Sequence, residues 1–168
     1  MKSHKLLWLI WLGTATLFTI LSLQLNSGLP QRVATHFGAN GLPNGWMPRD
    51  VYLNFTLLFG MGTSLFLMGT FYIIRFIPPQ FLNVPHHKYW RSPEHFPEAC
   101  DYLWRWGMGC AIAELIWFAV INVFIVQANR ANPVVLHEMP LMAITGIFLL
   151  VIGISVVDLT RFFNKIKP

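Results

Sequence analysis

Four long stretches almost empty of charge decide what this chain can fold into. No charged residue interrupts Leu6 to Gln31, Val51 to Ile74 or Met139 to Val157, and Trp106 to Asn129 holds only Glu114. A helix that crosses a bilayer needs about 20 mostly apolar residues, because each adds roughly 1.5 Å across a hydrocarbon layer roughly 30 Å thick. Unpaired backbone groups are too costly in lipid for open structures, and these segments are too long and too uniformly apolar for barrel strands. The chain therefore reads as an all-α membrane protein, a four-transmembrane-helix bundle. The helices are expected at about 6–25, 52–75, 103–127 and 139–160. Between them lie an outer loop 26–51, an inner loop 76–102 and a second outer loop 128–138, all within a single membrane domain, 1–168. Composition agrees: 11% of the residues are charged, against about 25% in a soluble domain.

The cations set the orientation. Lys2, Lys5, Arg75, Lys88, Arg91, Arg105, Arg161, Lys165 and Lys167 share one face of this topology, and only Arg32, Arg49 and Arg130 share the other. By the positive-inside rule both the N-terminus and the C-terminus are cytoplasmic. The net charge of +5 is thereby explained by topology and by contact with anionic headgroups, so no nucleic-acid partner is expected. Lys2 and Lys5 precede an apolar run longer than a signal-peptide core, and no A-x-A site follows it, so the first helix reads as an uncleaved anchor. Cys100 and Cys110 are ten residues apart. That is roughly 15 Å along a helix, too far for a disulfide, so both read as reduced.

The outer loop is rich in turn chemistry. Within "THFGANGLPNGW", Gly accepts positive φ, Pro presets a turn's second position and Asn tolerates the left-handed region. A compact loop is expected, with Phe37 and Met47 folding back onto the helix ends. Trp46 and Tyr52 suit an interfacial aromatic belt, and Asp50 suits the cap of the second helix. In the inner loop, Pro78 and Pro79 stop that helix. "RSPEHF" looks like the next helix start, with Ser92 as N-cap, Pro93 in the first turn and Glu94 favourable to the dipole. Pro97 would kink this helix or move its start to Phe96.

These loops also carry a resemblance. "LPQRVATHFGANGLPNGW" resembles the N-terminal domain of SdpI-type bacterial membrane proteins, through Leu29, Pro30, Thr35, His36, Phe37, Gly41, Pro43 and Trp46. "LNVPHHKYW" is similar to that family's inner loop, through Asn83, Pro85, Tyr89 and Trp90. The named member confers immunity to a secreted peptide toxin and signals to a transcriptional repressor. The resemblance thus implies a peptide or protein ligand outside, a cytoplasmic protein partner, and a multi-pass place in the bacterial cytoplasmic membrane.

Few residues suggest chemistry. Glu114 lies near the middle of the third helix, where an unpaired carboxylate costs several kcal/mol. A neutral acid facing the bundle is expected, bonded to Thr14, Thr63 or Ser64. Two readings stand: a group that glues helices, or a proton-accepting or ligand-binding group. Gly107, Cys110 and Ala111 beside it form a small-residue stripe suited to close packing. Gly60, Gly62 and Gly69, then Gly146 and Gly153, suggest the same elsewhere. His36, His137 and Glu138 all face outward and could form a zinc set, but no spacing fixes it, so no metal and no cofactor are expected. His36 more simply holds the turns of its loop. Asp158 is expected to pair with Arg161, three residues on. No nucleophile–base order or nucleotide fingerprint is present, so the chain does not read as an enzyme. It reads as a binding or signalling module that recognises an envelope or peptide ligand through its outer loop. The alternative is a small proton-coupled carrier using Glu114, which would act as a homo-oligomer.

Overall fold

The computed structural model describes residues 4–166; Lys2 and Lys167, counted above among the cations, lie outside them. Five α-helices and a two-stranded sheet make up the fold: α1 (Lys5–Ser27), β1 (Arg32–Phe37), β2 (Pro43–Pro48), α2 (Arg49–Ile73), α3 (His87–Trp90), α4 (Phe96–Arg130) and α5 (Glu138–Asn164). Single 3₁₀ turns at Ile74–Phe76 and Pro79–Phe81 follow α2. Among the described residues four helices are long and apolar enough to cross a membrane: α1, α2 with its 3₁₀ extension, α4 and α5. Mean hydropathy over their most apolar windows runs from 1.8 to 2.5.

The all-α expectation needs correcting. The loop between α1 and α2 holds an antiparallel β-hairpin whose register pairs Arg32 with Pro48, Val33 with Met47 and Ala34 with Trp46. The pairing shifts between Ala34 and His36. Helix bounds also differ from those expected. The third membrane helix starts at Phe96 and is 35 residues long, roughly 52 Å at 1.5 Å per residue. It therefore outruns the hydrocarbon layer, and polar turns at both ends extend it. Ser92 is not its N-cap. His95 holds that position without a side-chain cap, and Pro97 occupies the first turn, where a missing N–H costs nothing. Asp50 does not cap α2 either: Pro48 precedes the helix, and Asp50 lies inside its first turn.

Helix α4 is the axis of the bundle, with α1, α2 and α5 packed on it. Trp11, Ala15 and Phe18 of α1 meet Met68 of α2 and Trp104, Met108, Ala111 and Leu115 of α4. Two glycines seat aromatic rings. A Cβ on Gly60 would lie 2.7 Å from Phe18, and one on Gly107 would lie 2.5 Å from Phe71. The other glycines expected to allow tight packing do not: Gly62, Gly69, Gly146 and Gly153 have nothing within 4 Å of where a Cβ would stand. Helix α5 is peripheral, and Phe163 is its one buried residue. The apolar faces left open, such as Leu58, Leu149 and Ile154, suit a lipid bilayer.

The end opposite the hairpin is closed by the inner-loop motif. Trp90 is fully buried and its Nε1–H donates to the Phe163 carbonyl at 2.9 Å. Around it gather Leu82, Ala99, Leu103 and Phe163. Tyr89 stacks on His95, whereas Asn83 and Pro85 stay exposed. Asp158 does not pair with Arg161. It accepts a bond from the Tyr102 hydroxyl at 2.7 Å, and Asp101 instead is met by His4 and Arg105. Cys100 and Cys110 are free and buried.

Candidate functional site

The hairpin is fastened to the bundle by one side chain. Asn129, in the last turn of α4, accepts from the Ala34 N–H at 2.7 Å and donates to the Ala34 carbonyl at 2.8 Å. Its carboxamide thus copies the pairing of a neighbouring strand. Both partners are buried, Ala34 completely. A second fastening comes from the α4–α5 connection, where the Leu136 N–H donates to the Gly41 carbonyl at 2.9 Å. Gly41 has φ +72°, the left-handed region. A Cβ there would lie 2.4 Å from the Leu136 oxygen. Val33 and Met47 press the hairpin onto Leu29, Tyr52 and Val126.

Beneath this cap the three central helices share a polar node. The Tyr52 hydroxyl of α2 donates to Asn122 Oδ1 of α4 at 2.5 Å, and Asn122 Nδ2 donates to Ser22 Oγ of α1 at 3.2 Å. Tyr52 therefore belongs to the interior, 5% exposed, not to an interfacial belt. Trp46 is exposed. Asn122 and Asn129 are seven residues apart, two turns on one face of α4. Asn26 is also buried at this end, its Oδ1 without a partner.

Between α2 and α4, below the hairpin, lies a cleft of about 450 Å³. Its polar lining is Thr35, His36 and Thr56, with the buried Tyr52–Asn122 pair behind them. Its walls are apolar: Phe55, Phe59, Phe118, Ile121 and Ile125. Phe55 and Phe59 are about half exposed, so the cleft also opens sideways between the helices. His36 Nδ1 is hydrogen-bonded to Asn44 Oδ1 across the hairpin. A carboxamide oxygen can only accept, so Nδ1 is the donor in this contact.

At the deep end Phe59 and Phe118 meet edge to face, with centroids 5.4 Å apart. One turn further in, Thr63 Oγ1 donates to Glu114 Oε1. Glu114 is 7% exposed, and its Oε2 is buried without a partner. The other two donors considered for it are engaged elsewhere. Thr14 bonds the Ile10 carbonyl, and Ser64 accepts from Trp11 Nε1 and donates to the Ala111 carbonyl. Glu114→Leu removes the contact between α2 and α4 while Thr63 keeps the Phe59 carbonyl at 2.6 Å, and should lower stability by about 0.6–1.7 kcal/mol, the range for hydrogen bonds between membrane helices. Glu114→Gln keeps an acceptor for Thr63 and should unfold within error of wild type. Thermal unfolding in detergent measures both, and equal losses would contradict this role for the contact.

The structure gathers Thr35 and His36 at the cleft and leaves Phe37 and Pro43 paired further along the hairpin. It does not gather His36, His137 and Glu138: among the described residues no group of three His, Cys, Asp or Glu side chains could hold a metal ion. His137 precedes α5, and Glu138 lies in its first turn. Asn122, Asn129 and Ser22 escaped the sequence reading. The available signal was a pair of neutral amides at i, i+7 in an otherwise apolar run.

Residues 13–61 match a domain of unknown function, DUF1648. The match is under a third of the chain and covers most of α1, the hairpin and the first half of α2. The inner-loop motif and Glu114 fall outside it. No curated protein and no solved structure matches the chain.

Proposed function

We propose that this protein is a membrane-embedded binding module of the bacterial cytoplasmic membrane, and that it takes an amphipathic envelope molecule into the cleft beneath the hairpin. The observation that carries this reading is the cleft itself, with its polar lining and aromatic walls opening toward lipid. Ligand sites are typically concave, mostly apolar and marked by a few placed polar groups. The polar end of the ligand meets Thr35, His36 and Thr56, and its apolar chain runs along Phe55, Phe59 and Phe118. The nine-to-three division of cations favours a hairpin outside the cell. The likeness of the hairpin motif to SdpI-type proteins supports recognition of an envelope-directed molecule, with the loop around Trp90 facing a cytoplasmic partner. This is a reading of binding rather than catalysis.

The test is photolabelling. The purified protein, in lipid nanodiscs, is irradiated with a diazirine-bearing palmitoyl phospholipid, and adducts are mapped by mass spectrometry. Adducts should concentrate on Phe55, Phe59, Phe118 and Ile121. Thr56→Trp, which fills the cleft, should remove them and leave labelling of α5 unchanged. Labelling spread evenly over all lipid-facing residues would sink the proposal. Competition by a membrane-active peptide, but not by other lipids, would move the ligand class to peptides.

A second reading rests on the unpartnered Glu114 Oε2. A buried carboxyl with a free oxygen, one turn beyond the cleft, suits proton exchange in a carrier. If so, Glu114→Gln would fold normally yet abolish proton-dependent flux in liposomes.

A further inference from the structure

At the membrane end opposite the hairpin, α1, α2 and α4 enclose a shallow groove of about 440 Å³, lined by Trp8, Leu65, Met68, Gly69, Tyr72 and Trp104. Its sides are aromatic: Trp8 lies 5.8 Å from Trp104, and Tyr72 lies 5.2 Å from Trp104, centroid to centroid. Its floor is open at Gly69, where a Cβ would meet nothing within 4 Å. At its mouth stands Arg75, with its guanidinium 4.2 Å from the Tyr72 ring centroid and 5.8 Å from that of Trp104. Nε of Arg75 donates to the Tyr72 carbonyl. Asp101, at the same end, is engaged by His4 and Arg105. Arg75 is exposed, and among the described residues no carboxylate lies within 4 Å of it.

We propose that the groove holds one acyl chain of an anionic phospholipid whose phosphate is met by Arg75. An apolar channel that ends at an exposed guanidinium complements a molecule with a hydrocarbon chain and an anionic head. Guanidinium suits phosphate because its planar fork can donate two parallel hydrogen bonds. The rings under the guanidinium hold it over the groove by cation–π attraction. This site is independent of the hairpin cleft, being at the other membrane surface and lined by other residues.

The protein is reconstituted in nanodiscs of equal phosphatidylglycerol and phosphatidylcholine, extracted gently in detergent, and its retained lipids are read by native mass spectrometry. Wild type should retain phosphatidylglycerol over phosphatidylcholine by about fivefold, the effect of one cation at an anionic surface. Arg75→Gln should bring the ratio near one, Arg75→Lys should keep only part of it because an ammonium lacks the planar fork, and the control Arg161→Gln should leave it unchanged. Gly69→Leu fills the groove and should reduce retention of both lipids. All three altered positions are solvent- or lipid-exposed, so the fold should hold. Equal retention of the two lipids by wild type overturns the proposal, as does a preference that survives Arg75→Gln. Binding of inorganic phosphate with no lipid retained also overturns it.

Discussion

Asn129→Ala should free the hairpin from the bundle. The substitution strands the Ala34 N–H and carbonyl, both on a residue with no exposed surface. An unsatisfied buried polar group costs about 1–3 kcal/mol. Water can reach this end once the hairpin lifts, so the combined loss should fall at about 2–4 kcal/mol. Asn129→Asp should lie between, because a carboxylate still accepts from the Ala34 N–H but cannot donate to its carbonyl. Limited trypsin digestion reports the change, since Arg32 opens β1 and Arg49 directly follows β2. Cleavage at Arg32 should be slow in wild type and fast in Asn129→Ala. Unchanged cleavage would mean that Asn129 does not hold the hairpin.

Gly41→Val should be as damaging, for a different reason. An L-residue in the left-handed region costs roughly 1–2 kcal/mol, more when β-branched. Space is also lacking. The atom that a new Cβ would meet is the Leu136 backbone oxygen, which cannot rotate aside. Relieving the clash breaks the bond from the Leu136 N–H to the Gly41 carbonyl, a further 0.5–1.5 kcal/mol or about that. Gly41→Ala should therefore fail almost as badly. Asn44→Ala loses only the contact with His36 on an exposed face and should cost up to about 1 kcal/mol. Unfolding midpoints in detergent give the order. Equal tolerance of Gly41→Val and Asn44→Ala would contradict an ordered hairpin.

The four spans were legible in the sequence because hydrocarbon tolerates so little charge. The hairpin was not, although its turns were. Its second strand reads Pro-Asn-Gly-Trp-Met-Pro, in which the two prolines, the Asn and the Gly are types that strands mostly avoid. It pairs because Asn129 and the α4–α5 connection supply tertiary bonds that no local preference reveals. Glu114 stood out since it is the one formal charge in its run. Asn122 and Asn129 carry no charge and passed unnoticed, yet they tie α4 to three other elements. Ser92-Pro93 mimicked a helix start, but the chain makes another turn there before Pro97 opens α4 at its first turn. The glycines divided by neighbour: Gly60 and Gly107 face aromatic rings from adjacent helices, while Gly62 and Gly153 face outward, which spacing alone could not tell.

Everything proposed for the cleft depends on the hairpin being a fixed part of the fold. Spin labels on cysteines introduced at Ala39 and Ile116, both exposed, measure this directly in a background lacking Cys100 and Cys110. Ala39 lies in the turn between the strands and Ile116 in the middle of α4. Electron–electron resonance in nanodiscs should give one narrow distance distribution, and Gly41→Val should broaden it. A broad or multiple distribution in the unaltered hairpin would contradict the account.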